Sequence, residues 1–296
     1  MISRMLMMAA SAGGSIPPSG SNVYVTNLGS STSFIFNRNT STGALSGSST
    51  IATGSIPVQV CISADGKNVY VANYGSSTVS IFDRNLSTGA LSGTSTIAAG
   101  VGSGTWGITI SADDLNVYTA NQDNNTVSIF DRNTSTGALT SNGSIATGSY
   151  PRSIVISADG KNVYVANTTS ETISIFDRNL STGALSGTST IATVSLPSGV
   201  AISYDGLNVY VPNTAGSNIV SIFDRNTSTG ALTSNGSIAT GSSPQGICIS
   251  ADGKNVYVVN YNSNDVSIFD RNLSTGALSG TSTISAAGSY GIAVYP

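Results

Sequence analysis

Few of the 296 residues carry side chains able to do chemistry, and there is no histidine. That removes the commonest general base and metal ligand. The single tryptophan, Trp106, and the single glutamate, Glu171, fall where otherwise near-identical segments stop agreeing. So do Arg152, Tyr150, Tyr290, Gln245, Tyr74, Tyr261 and Asp123. Trp, Tyr and Arg are the types enriched at binding hot spots, so this set predicts a recognition surface for a partner or ligand. Asp123 and Glu171 lie in adjacent repeats and are the only carboxylates there that could converge as an acid–base pair or a Ca²⁺ site. No base–nucleophile pair can be named from the sequence, and no catalytic residue, metal ligand or cofactor is assigned.

The elements that must position these residues are repeats. Asn-Val-Tyr begins at Asn22, Asn68, Asn116, Asn162, Asn208 and Asn255, spaced by 46, 48, 46, 46 and 47 residues. Gly-Ala-Leu follows in step from Gly43 to Gly276. A period of 40–50 residues without helical patterning is the size of one four-stranded propeller blade. In residues 151–192, a short apolar strand leads through the Asp-Gly turn signal at Asp159-Gly160 into NVYVAN, then TISIFD, then a fourth strand after RNLSTG. The first repeat begins at its second strand, and residues 291–294 (GIAV) read as its missing first strand. The fold class predicted is all-β: a six-bladed propeller of four-stranded blades, closed by pairing of the N- and C-terminal strands so that no edge is exposed there. Leu86, Leu180 and Leu273 alternate around the chain with Thr40, Thr134 and Thr227 at one turn position, which also requires an even blade count.

Strand alternation puts the first and third turns of every blade on one face of the disc and the variable loops and blade links on the other. The turn face repeats its aspartates, Asp65, Asp159 and Asp252 among them, and five or more copies point to turn building rather than catalysis. On the loop face, the position before Gly-Ile of each innermost strand is Val58, Trp106, Arg152, Ser198, Gln245 or Tyr290, predicted to ring the channel mouth. Cys61 and Cys248 occupy equivalent strands with blade 1 between them, too far apart for a disulfide, and are expected as buried free thiols.

Only 8% of residues are charged and the net charge is −3, with no basic stripe for nucleic acid. No apolar run approaches the ~20 residues of a membrane span. Residues 1–20 read as a separate apolar leader ahead of a propeller at 21–296. Its Met1, Ile2, Met5, Leu6, Met7 and Met8 are expected to contact another chain, with a processed signal peptide as the alternative.

At NVYVTN (Asn22–Asn27), NVYVAN (Asn68–Asn73) and the Asp-x-x-x-x-Thr-Gly-x-Leu element first seen at Asp83 to Leu91, the chain resembles the YVTN family of β-propeller repeat proteins. The resemblance implies the propeller fold and leaves function open, since such repeats occur in surface-layer proteins, other bacterial surface or secreted proteins and relatives of the propeller lactonases. The expectation drawn is a non-catalytic binding or display protein, located extracellularly, on a cell surface or on a virion. It would be held in a larger assembly through its N-terminal segment, with a receptor or glycan on the variable face. A lactonase-like hydrolase and a surface scaffold without a specific ligand are the alternatives.

Overall fold

The computed structural model describes residues 22–286, apart from 40, 43, 101 and 103. It is an all-β six-bladed propeller. Five antiparallel sheets have four strands each, and the first, at residues 22–52, shows three among the described residues. Blade 3 is typical, running through Thr105–Ile110, Asn116–Asn121, Thr126–Arg132 and Leu139–Ala146 from the ring axis to the rim. The predicted closing strand at residues 291–294, Tyr290 and the leader with Met1, Ile2, Met5, Leu6, Met7 and Met8 lie outside the described residues.

Both faces of the second strands of blades 2 to 5 are buried because each of these sheets is sandwiched between two others. Val163, Tyr164, Val165 and Ala166 are all inaccessible, which is why this strand reads as nearly continuous apolar sequence. The core therefore lies between blades: Tyr118 and Ile129 of blade 3 pack on Ile154, Ile156 and Phe176 of blade 4. The fourth strands, such as Leu185–Ala192, form the exposed Ser/Thr-rich rim. Blade 5 departs from the pattern, its first strand reduced to Ala201–Ile202. Pro212 in the neighbouring strand has no N–H to give the ladder, and the pairing breaks there.

The five successive joints from blade 1 to blade 6 are fastened on the turn face by one repeated set of bonds. The arginine that ends a third strand enters the preceding blade: Arg178 Nε donates to Tyr118 Oη at 2.8 Å, and Nη2 donates to Asn116 Oδ1 at 2.6 Å and Asp113 Oδ2 at 2.8 Å. Tyr118 in turn donates to the carbonyl of Gly183 at 2.7 Å. The same Arg–Tyr–Asn bonds recur at Arg84, Arg132, Arg225 and Arg271. The turn aspartates thus do more than the local job expected of them. Asp159 accepts from its own Ser157 and Lys161 amide and also from Arg225 of the next blade at 3.1 Å.

Candidate functional site

On the opposite face, one residue of the innermost strand is an extra one. The ladder skips from Pro57 to Gln59, from Thr105 to Gly107 and from Pro151 to Ser153, which makes Val58, Trp106 and Arg152 bulge residues. A bulge re-aims its side chain and bends the strand, so the most variable position of the repeat is also the one turned out of register. The residue before each of these strands has a left-handed backbone: Ile56, Gly104 and Tyr150 have φ of 50°, 56° and 61°. For Tyr150 this costs about 1–3 kcal/mol. Its amide is held by Asn125 Oδ1 at 2.8 Å, and its carbonyl accepts from the Thr168 amide at 2.9 Å.

These devices bring Tyr74, Trp106, Gln122, Asp123, Tyr150 and Arg152, from blades 2, 3 and 4, into one cluster. Tyr74 packs edge-on to Trp106, with ring centroids 5.3 Å apart. The Arg152 guanidinium lies 4.5 Å from the Trp106 ring centre and 5.6 Å from that of Tyr150. Such cation–π contacts contribute roughly 0.5–2 kcal/mol each. Gln122, 1% exposed, links the two charges: Arg152 Nε donates to its Oε1 at 3.3 Å, and its Nε2 donates to Asp123 Oδ1 at 3.4 Å. Burial first, and then the nearby Asp123 charge, push the Tyr74 phenol above its ordinary pKa, with Arg152 opposing. The phenol is thereby kept neutral beside Asp123, and the cluster combines a carboxylate, a guanidinium and an aromatic platform.

The other sequence-predicted residues stand apart. Glu171 is an exposed turn residue of blade 4 at φ 54° whose carbonyl accepts from Thr193. No Asp123–Glu171 pair forms, and among the described residues no three His, Cys, Asp or Glu side chains gather for a metal. Gln245 and Tyr261 belong to blade 6, where Gln245 donates to Ser243 Oγ at 3.3 Å. Val58 does not ring the mouth, because its bulge turns it fully into the core between blades 2 and 3. The sequence reading missed the bulge, and the isolated large or charged residue just before Gly-Ile or Ser-Ile was its available signal.

Fold and cluster together define a β-propeller with a polar–aromatic site at one end of its ring. The family described as "Lactonase, 7-bladed beta-propeller" matches residues 8–106, 95–201 and 188–294, and the chain belongs to it. The described residues form six sheets against the seven of that description. Similar solved structures include a putative 6-phosphogluconolactonase from Bacteroides fragilis NCTC 9343, at 24% identity and TM-score 0.82, covering 96% of this chain and 86% of that one. One from Bacteroides uniformis ATCC 8492 has 22% identity, TM-score 0.83 and coverages of 92% and 84%. A periplasmic gluconolactonase, PpgL, from Pseudomonas aeruginosa has 19% identity, TM-score 0.82 and coverages of 97% and 86%. No curated protein matches.

Family membership overturns the expectation of a non-catalytic binding or display protein, and with it the expectation that the chain is no enzyme. That expectation leaned on the missing histidine and on acids and bases scattered along the sequence. Stacking of blades 2 to 4 removes the scatter, because Asp123 and Arg152 meet through Gln122.

Proposed function

We propose that the chain hydrolyses a lactone at the Asp123–Arg152 cluster. Membership of the lactonase propeller family supports the reaction class, and the bridge from Asp123 through Gln122 to Arg152 beside Trp106 carries the assignment to this site. In this reading Trp106, Tyr74 and Tyr150 seat the ring of the substrate. Arg152 polarises the carbonyl oxygen, and Asp123 takes a proton from the attacking water. The water oxygen bonds to the carbonyl carbon, and the negative charge that develops on its oxygen is met by the guanidinium. Collapse breaks the bond to the ring oxygen, which leaves with the proton that Asp123 had taken, giving an open hydroxy acid. Gln122 holds the carboxylate and fixes its distance from Arg152. The YVTN type is the finer description we give the repeat itself, on NVYVTN and NVYVAN.

The test is acid release from D-glucono-δ-lactone in a pH-stat, corrected for uncatalysed opening. Asp123→Asn is expected to lower kcat about 10²–10⁴-fold, as loss of a general base does. Arg152→Met is expected to lower it about 10²–10³-fold, with both variants folded by circular dichroism. No rate above the uncatalysed one across δ- and γ-lactones, with wild-type protein folded, would end this reading.

A further inference from the structure

The charges of the chain are divided unequally between the two faces of the disc. Lys67, Lys161 and Lys254 sit in the first turns, and the arginines Arg38 to Arg271 end the third strands beside them. Both groups belong to the turn face. Among the described residues Arg152 is then the one cation of the loop face, whereas Asp123, Glu171 and Asp265 are carboxylates there, leaving a net charge of −2. In the lactonase reading that single guanidinium serves the carbonyl oxygen, which leaves no second cation among the described loop-face residues for a phosphate. A phosphate monoester brings about −1.5 to −2 at neutral pH. Sites built for it supply several basic groups or a helix N-terminus, and here the described loop face would oppose it.

What the cluster does offer is apolar ring faces with the exposed Asp123 carboxylate at their edge to accept hydroxyl protons. That combination suits a flat, uncharged, polyhydroxylated ring. Resting on the lactonase reading, we infer that the substrate is an unphosphorylated sugar lactone and that the loop face discriminates against its phosphorylated counterpart by charge. Two of the similar structures carry 6-phosphogluconolactonase in their names, so this chain would differ from those proteins in the charge of what it takes.

Trp106 is the chain's single tryptophan and stands in the site, so its fluorescence reports occupancy without turnover. The experiment titrates the full chain with the hydrolysis-resistant D-glucono-δ-lactam and with its 6-phosphate at pH 7.5 and low salt, with calorimetry in parallel. The neutral lactam is expected to bind at least about tenfold more tightly, since like-charge juxtaposition is strongly unfavourable. Added salt should narrow that gap by screening the repulsion. Equal or tighter binding of the phosphate, a gap indifferent to salt, or no binding of either ligand by both methods would overturn the inference. Turnover separates the two readings: a lactam preference without lactone hydrolysis leaves the ligand assignment standing and removes the lactonase reading. Hydrolysis faster with the phosphorylated lactone does the reverse.

Discussion

Replacing Tyr118 by Phe removes one oxygen atom from the joint between blades 3 and 4 and almost nothing from its packing. That oxygen donates to the Gly183 carbonyl at 2.7 Å and accepts from Arg178 Nε at 2.8 Å, both in buried surroundings. The variant strands a carbonyl and one guanidinium N–H. A buried polar group left unpaired costs about 1–3 kcal/mol, with bonds to charged groups at the upper end. Arg178 keeps Asn116 and Asp113, so its share is partial, and the two losses together come to about 2–4 kcal/mol. At ~2.1 cal/mol/K per residue, unfolding of a chain this size has an entropy of ~0.6 kcal/mol/K, so the midpoint should fall by about 3–6 °C. Calorimetry and urea unfolding followed at Trp106 both read this. Tyr70→Phe and Tyr164→Phe should lose comparable amounts, because the same bonds recur at those joints. A Tyr118→Phe variant within about 0.5 kcal/mol of wild type would refute the view that these bonds fasten the blades.

Acid should loosen the same joints. In Asp65, Asp113, Asp159 and Asp205 burial favours the protonated form but is outweighed by the neighbouring serine hydroxyl, a backbone amide and the arginine of the next blade, so each carboxyl titrates below its ordinary 3.8. A depressed folded pKa contributes stability that is complete above the unfolded value and is lost as the pH falls through the folded one. The stability difference between wild type and Asp159→Asn should therefore be present at pH 6 and shrink as the pH drops below 3.8. A difference that stays constant down to pH 2.5 in urea titrations would count against the ion pair. Cys61 and Cys248 are both free and buried, and burial pushes the Cys61 thiol up, away from the reactive thiolate. Neither should react with a thiol reagent within minutes unless denaturant is added, and mass spectrometry of the native protein should show no adduct.

The period of 46 to 48 residues, the Asp-Gly turns and the apolar NVYVAN strands were enough to define the blades, because blade size, turn chemistry and strand composition are local properties of the chain. The buried state of the cysteines was legible for the same reason, from their place in an innermost strand. The partnership of Asp123, Gln122 and Arg152 was not. Arg152 lies about thirty residues beyond the adjacent Gln122 and Asp123, in the next blade, and their meeting depends on how successive sheets stack around the ring. Nor could periodicity show that one bulge would send Trp106 to the mouth while its counterpart sends Val58 into the core. Only the packed joints revealed that Arg84, Arg132, Arg178, Arg225 and Arg271 each reach across to the tyrosine of the blade before. Sequence determines each blade because hydrogen bonding and burial inside a sheet follow the chain; the site and the joints belong to contacts between sheets, which exist only once the ring has formed.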